Sequence, residues 1–178
     1  MMAVAIAVVG GKKSGKTTTI EILTKELAER GYRIAAVKHI PDPNFTIDRE
    51  GKDTWRYAQS GAKTVIGVSA DEIATIEKRE SANVSLNDIL RRCGDDDVVF
   101  LEGFKDLVAR NKAIYKIVVV KTAEEAEEDL EIFTPILAFA VSSPFKSGEK
   151  RIPYVDVRKN PEKLADLVEK MVIKKTAT

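Results

Sequence analysis

The chain has 178 residues, 44% of them hydrophobic and 32% charged, with 29 Lys+Arg set against 28 Asp+Glu. That balance excludes a disordered composition and gives no electrostatic basis for capturing nucleic acid or a membrane surface, while the length lets one domain bury a core without staples. One cysteine, Cys93, and one histidine, His39, exclude an internal disulfide and a Cys/His zinc cluster built within one chain, and the thiol reads as a small buried hydrophobe in a reducing compartment.

Residues 3–9 (AVAIAVV) read as a short buried strand, far shorter than the roughly 20 residues that span a bilayer. The run leads straight into a glycine-rich loop and not into a cleavage site, so the chain reads as cytoplasmic. The loop residues Gly10, Gly11, Lys12, Lys13, Ser14, Gly15, Lys16 and Thr17, followed by Thr18, fit G-x-x-x-x-G-K-[ST]. Beyond it Ile20, Leu23 and Leu27 fall at i, i+3 and i+7, one face of a helix that stops at Gly31. Strand, loop and helix in this order let backbone N–H groups and a helix N-terminus face a phosphate chain; Lys16 adds a full charge and Thr17 offers a hydroxyl to Mg²⁺. The segment predicts binding of a nucleoside triphosphate. A glycine turn that merely resembles the motif is the competing explanation, and the flanks argue against it.

A second apolar run, 34–37, ends at Lys38 and His39, where Lys38 is placed to meet phosphate or a second ligand. A lone histidine at a strand end is more often a satisfied structural residue than a ligand or base. Residues 41–50 (PDPNFTIDRE) read as a polar, proline-punctuated loop. Asp48, Lys52 and Asp53 follow at a loop and helix start, where a nucleotide-sensing switch would hold a carboxylate near the water or metal. Capping of the helix that carries Trp55 and Ala58 explains Asp48 or Asp53 equally well.

Further apolar runs at 64–68, 98–101, 114–120 and 136–141 lack clean alternation and read as strands buried on both faces. The run at 98–101 ends at Glu102, and Gly103 after it permits a sharp turn or close approach to phosphate. At the carboxyl end of a buried strand, Glu102 is the candidate to serve Mg²⁺ or orient the attacking group; a surface carboxylate is the plainer alternative. Helical stretches lie between the runs. Ser85 with Asp88 resembles a capping box, with Leu86, Ile89 and Leu90 as the apolar stripe. The acidic run 124–131 reads as a solvated helix face without function, and 143–151 as a loop. Asn160 and Pro161 open a last helix striped by Leu164, Leu167, Val168 and Met171, followed by a frayed tail at 174–178. Strands alternating with helices predict an α/β class protein, a three-layer P-loop NTPase fold with a mostly parallel central sheet, as one nucleotide-binding domain over 1–173.

Four segments together resemble the MobB family, the molybdopterin-guanine dinucleotide biosynthesis adapter proteins: GGKKSGKTT at 10–18, AAVKH at 35–39, DREGKDTWRYAQSGA at 48–62 and VVFLEGFK at 98–105. The first is shared with many families; the third and fourth combined are far more particular. The resemblance implies a GTP-binding, SIMIBI-type phosphate-loop protein, usually a homodimer, that hydrolyses GTP weakly and assists the enzyme joining GMP to molybdopterin. It implies GTP and Mg²⁺ as ligands and molybdopterin or its guanylyltransferase as partner, for molybdenum or tungsten cofactor synthesis. Phosphates would be bound by Gly10 through Thr18, metal by Thr17 and Glu102, with Glu102 and Asp48 as catalytic candidates and Lys38, His39, Lys52 and Asp53 as second-ligand candidates.

Three departures qualify the match. Ile40-Pro41-Asp42-Pro43 follows His39 where many members carry several histidines, so a metal or molybdate role for a histidine cluster does not carry over. No [NT]-K-x-D guanine signature is found, since 120–123 read VKTA, so GTP over ATP rests on resemblance alone. Lys12 and Lys13 are not placed as in the loop with lysine directly after the first glycine, so no lysine is predicted to reach across a dimer. Two other readings stay open: a small-molecule kinase with its acceptor near Lys38, His39 and Glu102, and a nucleotide-binding assembly surface. The pair Arg91-Arg92 is no transfer lid, since cations in a last helical turn complement the dipole anyway.

Overall fold

The first strand carries the architecture in its alternation. In the computed structural model, which describes residues 3–79, 84–141 and 151–176, Val4, Ile6 and Val8 enter one hydrophobic cluster while Ala5, Ala7 and Val9 enter another on the opposite face. In chain order the elements are β1 (Val4–Gly10), α1 (Lys16–Glu29), β2 (Ile34–Lys38), α2 (Asp53–Gln59), β3 (Thr64–Val68), β4 (Ile73–Glu77) and α3 (Leu86–Arg92). They continue with β5 (Val98–Glu102), α4 (Lys105–Val108), β6 (Tyr115–Val120), α5 (Ala123–Ile132), β7 (Ile136–Val141), β8 (Tyr154–Asp156) and α6 (Pro161–Thr176). The contacts divide the chain into two compact units, residues 1–39 with 86–178, and residues 40–85.

The first unit holds a six-stranded sheet in the order β2-β5-β1-β6-β7-β8, with every pairing parallel. Parallel strands need crossovers that cover both faces, which is why their sequences read as continuous apolar runs. One face packs against α1 and α6, through Leu23, Leu27, Leu164 and Val168, all fully buried. Arg30 just after α1 clasps the two helices, donating to Glu26 on its own side and to Asp166 and Glu169 on α6. The other face packs against α3, α4 and α5, through partly buried Leu86 and Ile89 and fully buried Val108 and Ala126. The predicted three-layer α/β fold with a parallel sheet is what forms.

The second unit holds α2 and an antiparallel hairpin of β3 and β4. Here the expectation for 64–68 fails: β3 is not buried on both faces. Val65 is 6% exposed, while Ile66 and Val68 are 58% and 74% exposed. A continuous apolar run fits either environment, and only its sheet partners decide. The short strands β4 and β8 and the one-turn helix α4 carry no signal in the sequence pattern either. At the C-terminus α6 runs through Thr176, into the segment read as a tail. Residues 143–150 of the expected loop, and 177–178, lie outside the described residues. No helix among the described residues is long and apolar enough to cross a membrane.

Gly10 ends β1 at φ +137, opposite Val119 of β6, and a Cβ there would lie 2.3 Å from the Val119 carbonyl oxygen. Gly10→Ala is therefore expected to destabilise the fold by about 2 kcal/mol or more, checked by urea unfolding. Lys116 of β6 is fully buried, its ammonium donating to the carbonyls of Asn111 at 2.7 Å and Thr134 at 2.5 Å. Burial pushes its pKa down to about 8, so between there and the ordinary lysine value the unfolded chain binds more protons than the folded one. Stability contributed by this group thus rises with pH across that window. In Lys116→Met, unfolding measured between pH 7.5 and pH 10 should lack this rise, whatever the offset from the two abandoned carbonyls.

Candidate functional site

The loop after β1 is built around its own absent side chains. Gly10 must lack a Cβ to pass Val119, and Gly15, at φ +107, turns the chain into α1 as its N-cap. Among the described residues no side chain caps α1, and no acidic residue stands in its first turn, so the helix N-terminus keeps its partial positive charge unopposed by a side-chain cap. Gly11, Lys12 and Lys13 are exposed, with Lys13 itself at φ 57; Lys16 and Thr18 are half-buried. Ser14 is only 5% exposed, and its Oγ has no hydrogen-bond partner among the described residues. The Lys16 ammonium folds back over the loop and donates to the carbonyls of Gly10 at 3.1 Å and Gly11 at 2.6 Å. Burial lowers its pKa; the Glu102 carboxylate opposes that shift, and Lys38 and Lys121 add to it.

The carboxyl end of β5 meets this loop. Thr17 Oγ1 donates to Glu102 at 3.0 Å and 3.1 Å, one distance to each carboxylate oxygen, across 85 residues of sequence. Lys38 at the end of β2 pairs with the same carboxylate at 3.0 Å, as the strand register places it. The Glu102 side chain is only 12% exposed. A hydroxyl that gives its proton to a carboxylate keeps its oxygen lone pairs for a cation, and the carboxylate is a hard oxygen ligand, so this pair suits Mg²⁺. Gly103, at φ +84, turns the chain there, and its N–H donates to the Val8 carbonyl at 3.2 Å.

His39 comes to the same strand edge as an exposed residue. Its backbone N–H donates to the Glu102 carbonyl, and its ring lies 5.2 Å from that of Phe104. Asp48, Lys52 and Asp53 belong to the second unit. There Asp48 Oδ1 accepts from the Thr54 hydroxyl at 3.0 Å, while its Oδ2 is buried with no partner among the described residues. Lys52 is the N-cap residue of α2 and supplies no side-chain cap bond; Asp53 opens the helix and faces Arg56 at 3.5 Å. Neither aspartate caps α2 in the expected way. Asp48 instead holds the hydroxyl of the helix's second residue.

Most of the acidic run is the solvated face its composition predicts, with Glu124, Glu127, Glu128 and Glu131 exposed, but Glu125 and Asp129 are half-buried. Glu125, Glu128 and Asp129 of α5 line a cavity of about 270 Å³ together with Gly10, Gly11 and Lys105. Burial raises the Asp129 pKa. Glu125 also accepts from the Lys121 N–H at 2.7 Å, and Thr122 caps α5. No group of three or more His, Cys, Asp or Glu among the described residues is arranged to hold a metal ion. Lys121 and Ser14 join the electrostatics and lining of the loop. Ser14 was legible as a motif position; for Lys121 no signal existed, since nothing in the sequence says that β6 lies beside β1.

Comparison with known proteins identifies the family. The family model described as MobB, molybdopterin guanine dinucleotide synthesis protein B, matches residues 5–142. The chain is 30% identical over 166 residues to the molybdopterin-guanine dinucleotide biosynthesis adapter protein of Haemophilus influenzae, covering 92% of this chain and 86% of that one. A crystal structure of molybdopterin-guanine biosynthesis protein B superposes with a TM-score of 0.73 at 29% identity, over 95% of this chain and 99% of that one. The structure of MobB from Bacillus subtilis shares the fold, with a TM-score of 0.69 at 23% identity over 92% and 96% of the two chains. Matched over most of its length in sequence, and in fold by solved members, the chain belongs to the MobB family.

Proposed function

We propose that this protein is a cytoplasmic, GTP-binding adapter with weak Mg²⁺-dependent GTPase activity that assists the guanylylation of molybdopterin in molybdenum or tungsten cofactor synthesis. The observation that carries the nucleotide part is the Thr17 to Glu102 hydrogen bond, which ties the phosphate loop to an acidic strand end. Gly10 through Thr18 hold the phosphates. Lys16 leaves the carbonyls of Gly10 and Gly11 for phosphate oxygens, and the orphaned Ser14 hydroxyl gains an acceptor. Thr17 and Glu102 hold Mg²⁺, whose chemistry when bound is to neutralise phosphate charge. Asp48, with one oxygen fixed by Thr54 and the other unpartnered, is the catalytic candidate of the second unit, and Lys52 and Asp53 remain candidates for a second ligand. Guanine over adenine, and the molybdopterin-linked partner, rest on the family and its named relatives.

The homodimer belongs to the same reading. Ile66, Val68 and Ile73 share one face of the β3–β4 hairpin and are 58%, 74% and 71% exposed, an apolar side that a second copy would cover. Sedimentation should show a dimer that Val68→Lys weakens; a monomeric wild type would end this part of the proposal.

Calorimetry with GTP and ATP, with and without Mg²⁺, tests the nucleotide site. GTP should bind more tightly, and selective ATP binding would overturn the guanine claim. Lys16→Ala should lose roughly 10- to 100-fold in triphosphate affinity while its unfolding midpoint stays near that of the wild type. Glu102→Gln should keep metal-free binding and lose most of the enhancement by Mg²⁺. Fast acceptor-dependent release of nucleoside diphosphate would instead favour a small-molecule kinase.

A further inference from the structure

Beside the phosphate loop, between α1 and β2 and wholly within the first unit, lies a cleft of about 550 Å³. That is ample for a small organic ligand. Ile20 and Ala36 form its apolar wall, Val37 borders it only along the β2 backbone since its side chain packs on the opposite face of the sheet, and Thr17 and Glu102 belong to its lining as well as to the phosphate site, so the two are continuous. Its charged groups are two ammoniums, Lys25 and Lys38, and two carboxylates, Glu21 and Glu102. They sum to zero. Lys25 is only loosely held, 4.0 Å from Glu29, and Lys38, with 54% of its side chain exposed, is paired to Glu102.

A divalent cation at Thr17 and Glu102 changes that sum. It neutralises the carboxylate that holds Lys38, leaves that ammonium facing the cleft, and turns the lining net positive. An apolar wall with a freed cation at one end suits an amphiphilic anion, and lysine is a point-charge phosphate binder. We propose that this cleft binds a phosphate monoester with an apolar body, its phosphate on Lys38, and that a divalent cation at Glu102 strengthens the binding. The proposal rests on the nucleotide-site reading above and names the second ligand's chemistry and its coupling to that site. Coupling of this kind is reciprocal, so the monoester also tightens the cation.

The test keeps the phosphate loop occupied in both arms. The ¹⁵N-labelled full chain is saturated with GDP, or with ADP if calorimetry shows that to be the diphosphate bound. It is then titrated with phenyl phosphate, once in EDTA and once in Mg²⁺. Amide shifts at Ala36 and Val37 should report binding at least about fivefold tighter with Mg²⁺. Phenol, which lacks the anion, and inorganic phosphate, which lacks the body, should bind more weakly. Lys38→Ala should abolish the gain from Mg²⁺, whereas Lys163→Ala on α6 should keep it. Equal affinity in the two arms, or shifts that avoid β2, would overturn the proposal while leaving the nucleotide site standing. So would a Lys38→Ala variant that loses preference for triphosphate over diphosphate with phenyl phosphate binding unchanged, since Lys38 would then serve the γ-phosphate. Failure of both diphosphates to bind would overturn the nucleotide reading and this proposal together.

Discussion

The register among β2, β5 and β1 is the constraint on which the site depends. Lys38 stands opposite Glu102, and Glu102 opposite Val8, in parallel pairings that run unbroken for five residues on each side. Parity does the rest. Val98 and Phe100 enter the cluster beneath α1, while Val99 and Leu101 enter the cluster on the other face. Glu102, two residues beyond Phe100, therefore emerges on the side where α1 presents Thr17. A slip of one residue would carry the carboxylate to the opposite face. It would also drive Phe100, fully buried, into the space filled by Leu101. The core thus fixes the acidic group more firmly than any contact within the site, and an exposed hydroxyl and a half-exposed lysine can rely on it.

How far this was legible follows from whether the information is local. The loop and α1 were readable because glycine spacing and a helical stripe are neighbours in sequence, and Glu102 because a buried run ending in a charge and a glycine marks a strand's carboxyl end. The pairing of Lys38 with Glu102 was not, since it requires knowing that β2 lies next to β5, and strand order is a property of the assembled sheet. The same limit explains β3. Its sequence TVIGV resembles the buried runs, but among the described residues its sole partner is β4, and a two-stranded hairpin leaves one face open. The choice between a switch and a cap for Asp48 and Asp53 was even on spacing. It took side-chain geometry to show Asp48 bonded to Thr54 and Lys52 at the N-cap.

The acidic helix shows the opposite error, where a sound generalisation met a local exception. A charge run is usually solvated, and most of α5 obeys that rule. Yet a helix packed on a sheet by Ala126 must bring the residues flanking its apolar stripe down to the layer boundary. Glu125 and Asp129 are those flanking residues, and the boundary they reach is the wall beside Gly10 and Gly11. The upward shift of Asp129 records the same partial burial.

In the function proposed above, the loop of the first unit is arranged to bind before it is arranged to react. Lys16 occupies the loop's own carbonyls, so an entering phosphate exchanges two neutral acceptors for charged ones without first ordering the side chain. The buried Ser14 hydroxyl, costly while unpartnered, gives the liganded loop a further advantage over the empty one. Glu102 is turned toward Thr17 with both oxygens, an orientation that serves a cation beside the loop and commits the carboxylate to holding the ligand. Interactions that are equally good for bound ground state and transition state raise affinity and leave turnover slow. In the function proposed above, a site built from them would hold its nucleotide for long enough to be read by a partner, which is the property an adapter requires.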